Sequence, residues 1–445
     1  MMGNHFSIIL LPTNKCNVNC EYCFEDKTDD RMTLDQLELV MGKVFDYMDE
    51  ACIRGLTIHW QGGEIMMMPP DWFESAFDQI QTAAEKRGKF VEHGLQSNMI
   101  GYNSRWNRVI SQMFGNSVGT SMDFPNIHRK LFNGSAADYT RIWKYNIQTA
   151  LGNGIGIGVI AVPNQATLDV GAQRFYSYFV DEVGVKSFQV NTPFPGGEQN
   201  SAKKSLGLDV FQLGQFFVDL TDIWLEHGYD SVSVGPIDEL VKTFTDGSGC
   251  LPCIWQSNCA DEFISIDARG FVAQCDCWVT SYPEYFFGNI YKEPSLKTML
   301  AESSARKKFV ERPAAVIPQD CIECDYLAMC HGGCPVRTFT FSGSMFEKDP
   351  YCEVYLAMFR KAEDVAAKLS GVRATNRDPA SVFRRKSCGT FVGSTVTNAR
   401  EEMVEGFLPS RLVQIERNKN ARQVSSNAEN TSASPLTTGS RCYAR

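Results

Sequence analysis

Over residues 7–191, short apolar runs alternate with longer stretches in which apolar side chains recur every three or four positions, the pattern of repeated β–α units. It predicts strands over 8–11, 56–61, 91–96, 118–122, 155–162 and 188–191. Thr33 and Gln36 stand at capping-box spacing ahead of a helical face formed by Leu37, Val40, Val44, Phe45 and Met48. Pro69 and Pro70 open the next helix, through Phe73, Phe77 and Ile80, and further helices are predicted over 139–151, 174–182 and 211–226. Six such units in series predict an α/β fold, a partial (β/α)6 TIM-like barrel over residues 1–235. In parallel barrels the reactive groups sit on the loops after the strands, which directs attention to the first few loops.

The texture changes further on. Residues 236–370 are dense in cysteine, glycine and proline, with a short strand predicted over 263–266 and a closing helix over 353–369. From 371 to 445 the chain is polar, rich in Ser, Asn and Thr towards its end, and carries 12 basic against 6 acidic side chains. That tail is expected to be largely disordered.

Composition narrows the function classes. With 445 residues, 43% of them hydrophobic and 21% charged, the chain can bury a large core and form two domains plus extensions. The formal charge of −9 argues against a nucleic-acid partner, which calls for a basic face. The apolar runs near the start are too short for an export signal or a membrane span, so a cytoplasmic, non-membrane protein is expected. The 16 cysteines, at short spacings in a large chain, suggest metal or cluster ligands rather than disulfides.

Directly after the first predicted strand comes Cys16-Asn-Val-Asn-Cys20-Glu-Tyr22-Cys23. Three thiolates satisfy three irons of a 4Fe–4S cube and leave the fourth open to a ligand. Structural zinc wants four closed ligands, and no suitable fourth residue is near. After the second strand comes Gln61-Gly62-Gly63-Glu64, and Gln96-Ser97-Asn98 and Ser121-Met122-Asp123 end the third and fourth strands. The second array runs Cys253, Cys259 and Cys275, then Cys321, Cys324, Cys330 and Cys334, and finally Cys352. Eight cysteines suffice for two complete four-thiolate sites, with a pair of zinc sites as the plainer alternative.

The CxxxCxxC triplet with Tyr22 before its last cysteine, followed by Gly62-Gly63-Glu64 after strand two, strongly resembles the radical S-adenosylmethionine superfamily. The resemblance implies that Cys16, Cys20 and Cys23 hold an open-site cluster. It implies that Tyr22, Gly62, Gly63, Glu64, Ser121 and Arg129 contact S-adenosylmethionine, and that one-electron cleavage of that cofactor yields a 5′-deoxyadenosyl radical. Such a radical attacks almost any C–H bond, so the barrel must exclude solvent. The later array resembles the SPASM domain of peptide- and protein-modifying radical enzymes. That likeness implies two auxiliary 4Fe–4S clusters, the nearer on Cys253, Cys259, Cys275 and Cys334 and the outer on Cys321, Cys324, Cys330 and Cys352, three clusters in all. Cys52, Cys250, Cys277, Cys388 and Cys442 are left over, with Cys52 most simply a packing residue and Cys250 a competitor of Cys253.

Within the superfamily the chain is most similar to anaerobic sulfatase-maturing enzymes, over residues 6–370. This implies oxidation of a serine or cysteine side chain of a sulfatase to formylglycine, with Gln61 and Tyr22 contacting the substrate and Asp276 as base. Loss of hydrogen from Cβ must be followed by loss of the O–H or S–H proton, which a carboxylate accepts. An external donor such as flavodoxin or ferredoxin is implied. Ile65 in place of the family's proline, the additional Cys277 and the polar tail depart from the pattern. They keep open an alternative, a maturase of ribosomally made peptides forming a thioether, a carbon–carbon cross-link or an epimer. Only about fifteen residues precede Cys16, short for a leader-binding domain, which favours the sulfatase reading. A non-catalytic electron carrier is disfavoured by the open-site triplet and its Gly62–Glu64 partner.

Overall fold

The computed structural model describes residues 5–193, 207–261, 263–317 and 321–369; the expected disordered tail lies outside them. Its centre is one ten-stranded sheet in the order β10-β9-β8-β1-β2-β3-β4-β5-β6-β7. The strands are β1 (His5–Leu11), β2 (Gly55–Trp60), β3 (Phe90–Ser97), β4 (Ser117–Ser121), β5 (Gly156–Ala161), β6 (Ser187–Val190), β7 (Ser233–Gly235), β8 (Phe263–Asp267), β9 (Phe271–Ala273) and β10 (Gly288–Asn289). β1 to β7 pair in parallel with their sequence neighbours. Among the described residues the two ends of the sheet do not meet, so the barrel is open.

The helices of the barrel are α1 (Leu34–Glu50), α2 (Pro70–Lys86), α3 (Trp106–Met113), α4 (Ala136–Gly152), α5 (Gln165–Ser177), α6 (Val210–His227) and α7 (Ile237–Thr245). Those of the cysteine-rich region are α8 (Asp276–Ser281), α9 (Leu296–Glu302), α10 (Ser304–Val316), α11 (Leu327–Cys330), α12 (Pro335–Ser342) and α13 (Cys352–Leu369). The capping box at Thr33 and Gln36 forms as predicted, and α1 buries Leu37, Val40, Met41, Val44, Phe45 and Met48. Each such side chain contributes about 1.5–3 kcal/mol when fully removed from water. The helix predicted over 174–182 is instead α5 followed by a π-helical segment, Tyr178–Val183. It starts earlier because Asn164 and Thr167 form a second capping box.

The cysteine-rich region continues the barrel's sheet. β8 pairs in parallel with β1, from Ser7↔Phe263 to Leu11↔Asp267, and then turns back through β9 and β10. On α1, Lys43 donates from Nζ to the carbonyls of Ile290 and Glu293, at 2.6 and 2.5 Å. α13 packs against α6 and α7, where a Cβ on Gly214 would stand 3.3 Å from that of Ala357. Among the described residues no helix is long and apolar enough to cross a membrane.

Candidate active site

The first three loops converge as the barrel topology requires. The loop after β1 is closed on itself and on the loop after β4. Thr13 bridges Arg31 and Val18 bridges Leu131; Asn19 N–H donates to the Lys130 carbonyl at 2.7 Å and Glu21 N–H to that of His128 at 3.0 Å. Glu21 also pairs with His128 and Lys130, at 2.9 and 2.5 Å. Cys16, Cys20 and Cys23 thus lie on a braced loop, partly exposed by residue. Burial pushes the Cys16 thiol well above the ordinary range, with Glu64 and Cys23 adding to the effect. Burial raises Cys20 as well, and takes Cys23 to about 12, with Glu25 and Cys20 contributing.

Gly62 and Gly63 are demanded by close approach. Gly62 has φ +147°, and a Cβ there would collide with the Thr13 carbonyl; one on Gly63 would lie 2.5 Å from Asn14 O and 2.6 Å from Lys15 O. Gly63 N–H donates to Thr13 O at 3.0 Å and Glu64 N–H to Lys15 O at 2.9 Å, so this segment lies directly along the start of the cysteine loop. The Glu64 carboxylate is buried and accepts from Ser97 Oγ at 2.6 Å, Asn98 N–H at 2.6 Å and Met66 N–H at 2.8 Å. Burial nevertheless lifts its pKa. Glu64 therefore locks the loop to the end of β3, and Asn98 passes the link on to Asn17 Oδ1 at 2.7 Å.

Tyr22 turns its hydroxyl onto Asp123 Oδ2 at 2.5 Å. Arg129 pairs with the same oxygen at 3.1 Å and lays its guanidinium over the Tyr22 ring at 5.3 Å. The other oxygen of Asp123 accepts the Val162 N–H at 2.9 Å. Ser121 Oγ accepts from Gln96 Nε2 at 2.9 Å. Asp123 was not singled out as a site residue by the sequence reading, although an aspartate ending a barrel strand is a signal. Asn14 was also missed. Its side-chain nitrogen and oxygen are buried with no hydrogen-bond partner, as is Gln61 Nε2, and the two residues flank Gly62 and Gly63.

In the second region, Cys259 is raised well above the ordinary thiol range by burial and then by Cys334, Cys275 and Cys253, so these four sulfurs share one neighbourhood. Cys330 is raised by burial, by Asp349, and by Cys352 and Cys321; Cys352 is raised by burial and feels Cys324. Cys259 thus lies near Cys253, Cys275 and Cys334, Cys330 near Cys321 and Cys352, and Cys352 near Cys324. Asp276 is buried at the start of α8, and Cys277 Sγ donates to its Oδ1 at 3.8 Å. The ligand atoms of Cys275, Asp276 and Cys277 lie within 4.8 Å of one another. At the other end of α8, Ser281 Oγ donates to the Phe24 carbonyl, which ties this helix to the Cys23 end of the first loop. Cys52, expected to pack, is exposed at φ +56° just beyond α1: the chain turns there through a left-handed residue. Cys388 and Cys442 lie outside the described residues.

Two buried Arg and Asp side chains shape the second array. Arg312 donates to the carbonyls of Met345, Gly333, Gly332 and Glu347, at 2.6 to 3.1 Å. Asp349 accepts from Cys334 N–H at 2.8 Å, Tyr351 N–H at 2.9 Å and Tyr355 Oη at 3.1 Å.

Three partly exposed cysteines on the first loop and eight in the later region, with the unpartnered Asn14 and Gln61 side chains beside the first, fit iron–sulfur ligation and an open-site cofactor. An open parallel barrel with this array after its first strand, continued by a cysteine-rich region on the same sheet, is the arrangement expected of a radical S-adenosylmethionine enzyme with a SPASM-type region. More particularly, the chain is similar to anaerobic sulfatase-maturating enzymes. It is 22% identical over 349 residues to the serine-type enzyme of Bacteroides thetaiotaomicron, covering 73% of this chain and 81% of that one. It is 23% identical over 377 residues to the cysteine-type enzyme of Clostridium perfringens, covering 80% and 96%. No protein-family model matches the chain. Among solved structures, native anSMEcpe with bound AdoMet has the same fold, with a TM-score of 0.68 at 21% identity over 82% of this chain and 99% of that one. Streptococcus suis SuiB bound to precursor peptide SuiA reaches 0.50 at 14% identity, over 79% and 76%.

Proposed function

We propose that this protein oxidises a serine or cysteine side chain of a sulfatase to formylglycine. The observation that carries the reading is similarity over 80% of this chain and 96% of a cysteine-type sulfatase-maturating enzyme, together with Asp276 buried directly after Cys275 on a helix bonded to the first cysteine loop. Cys16, Cys20 and Cys23 would hold one open-site 4Fe–4S cluster. Cys253, Cys259, Cys275 and Cys334 would hold the inner auxiliary cluster, and Cys321, Cys324, Cys330 and Cys352 the outer. When bound, the open-site cluster and S-adenosylmethionine supply a carbon-centred radical that removes a hydrogen atom from the substrate.

The chain's own groups do the rest. Gly62 and Gly63 allow backbone to approach the cofactor, and Glu64 fixes that backbone through Ser97 and Asn98 rather than spending its carboxylate on the ligand. Arg129 and Ser121 stand at the mouth for the cofactor's polar end. Arg129 also holds Asp123, which orients Tyr22 towards the substrate side. Gln61, with its amide nitrogen free, is suited to a substrate carbonyl. Asp276 accepts the O–H or S–H proton while α8 excludes water. A peptide or protein is the substrate partner, and an external donor such as flavodoxin or ferredoxin delivers the electron. The 1–235 barrel, 236–370 SPASM region and 371–445 tail are the divisions this reading uses.

The test is reconstitution under anaerobic conditions with S-adenosylmethionine, reductant and a peptide carrying a sulfatase motif. Mass spectrometry should show loss of two hydrogens from serine, or replacement of sulfur and two hydrogens by oxygen at cysteine. 5′-Deoxyadenosine formed without either change would leave the radical chemistry and remove the sulfatase assignment, in favour of a ribosomal-peptide maturase. No 5′-deoxyadenosine at all would remove both.

A further inference from the structure

The last described helix delivers the chain to the end of the barrel at which the strands begin. α13 runs parallel to α6, with Ala357 beside Gly214 and Lys361 Nζ bonded to Asp222 Oδ1 at 2.5 Å. Continued along both helices, that register brings the half-exposed Leu369, where α13 ends, to the last turn of α6, two residues before Tyr229. Tyr229 stands at a solvent-open cavity of about 400 Å³ between the end of α6, the start of β7 and α7. The wall of this cavity is apolar: Trp224, Val232 and Val241 are buried there, and the half-exposed Tyr229 ring leans on Trp224 at 5.3 Å. Its rim is acidic. Asp230 and Asp246 are exposed, and Asp238 is buried below them against Ser233 Oγ. Lys242, the one cation among the described residues that line the cavity, is already held by Glu239 at 2.6 Å. The cavity opens beside β7, which ends the sheet and pairs on one side only among the described residues.

The sequence that follows Leu369 is basic. Residues 373–386, which lie outside the described residues, carry Arg373, Arg377, Arg384, Arg385 and Lys386 against one acid, Asp378, with Val382 and Phe383 between them. Extended chain spans at most about 3.6 Å per residue, so Arg373 and Arg377 reach up to about 14 and 29 Å from Leu369. A guanidinium takes carboxylate oxygens in a fork and lies flat on aromatic rings. Val382 and Phe383 match the apolar wall. We propose that residues 373–386 of this chain seat in the cavity, their arginines on Asp230 and Asp246, and cover the unpaired side of β7. Uncovered strand edges invite pairing with other chains, so the segment shields this end of the sheet from intermolecular contact. The site does not depend on the proposed reaction, since it lies at the strand starts, away from the loops that hold Cys16, Cys20 and Cys23.

The experiment is hydrogen–deuterium exchange of the full chain, read by mass spectrometry over peptides spanning 229–246, in the parent and three variants. In the first variant the five basic residues of 373–386 are all replaced by Glu, in the second Asp230→Lys and Asp246→Lys are combined, and the third carries both sets. Each of the first two should exchange about tenfold faster than the parent at residues 229–233, the factor that a few exposed ion pairs supply together. The third should return towards the parent. Peptides from α1 and β2 should exchange alike in all four, showing the barrel folded, and added salt should loosen 229–233 in the parent without any substitution. Equal exchange at 229–233 in the parent and the five-Glu variant overturns the proposal, whatever becomes of the aspartate variants. So does protection in the parent that fades on dilution while light scattering shows a dimer separating, which assigns the cavity to a second copy.

Discussion

The two cysteine regions are built in opposite ways. The first set of three lies within eight consecutive residues of one loop, and what holds it is backbone pairing to the loop around Lys130 and to Gly63 and Glu64. The two sets of four that the proposed function uses are interleaved. Cys330 and Cys334 lie four residues apart yet fall in different sets, and each set joins residues from ends of the region. A local loop can form its site as soon as the barrel's first turns meet, whereas the interleaved array exists only when α10, α12 and the start of α13 have docked. The difference teaches that the first site is compact in sequence and braced from the neighbouring barrel loops, while the second is assembled from segments far apart in sequence.

Cys20→Ala breaks the comparison if it disturbs both regions. The expected result is complete loss of 5′-deoxyadenosine formation with the second array still loaded, seen as retention of roughly two-thirds of the bound iron if three equal clusters are present. Loss of all iron would show that the sites are not independent. Asp276→Asn sharpens it next: 5′-deoxyadenosine should still form, while product formation falls by about 10²–10⁴, the usual range for a proton-transfer group. Equal product yield would remove Asp276 as the base.

Arg312→Met addresses the array alone. It strips the carbonyls of Gly332, Gly333, Met345 and Glu347 of their donor, and buried acceptors left unpaired cost about 1–3 kcal/mol each. Iron should be lost from the second array, with the absorbance of the open-site cluster kept. The smallest effect belongs to the barrel. His93 Nδ1 accepts from Trp60 Nε1 at 3.0 Å, and burial depresses its pKa to about 3. A histidine lowered in the folded state contributes stability that is present above the unfolded value of about 6.5 and is lost as pH falls towards 3. Denaturant midpoints should therefore drop below pH 6.5 with a slope of at most about 1.4 kcal/mol per pH unit from this group, and His93→Asn should flatten that slope.

Much of this was legible in the order of residues. The first six strands came from alternating apolar runs, and the capping box at Thr33 and Gln36 placed α1. β7, β9 and β10 were not foreseen, being three residues or fewer, too short to show a period. Cysteine spacing located the first triplet and the later array of eight as candidates, and only the family resemblance divided that array into two sets. Spacing says nothing about what surrounds a sulfur, so Asp123, Asn14, Arg312, Arg337 and Asp349 stayed hidden. Their meaning lies in partners brought close only by the fold: Asp123 meets Tyr22 across 101 positions of chain, and Arg337 meets Thr192 across 145.

The pairing of β8 with β1 has a consequence for biosynthesis. As the chain leaves the ribosome, the outer edge of β1 carries unpaired N–H and C=O groups from Ser7 to Leu11 until residues Phe263 to Asp267 arrive to cover them. For more than half of the chain's emergence the nascent barrel displays an adhesive flank of the kind that templates aggregation. Expression of a fragment ending near Gly235 should yield inclusion bodies, and supplying the later segment in trans should rescue solubility.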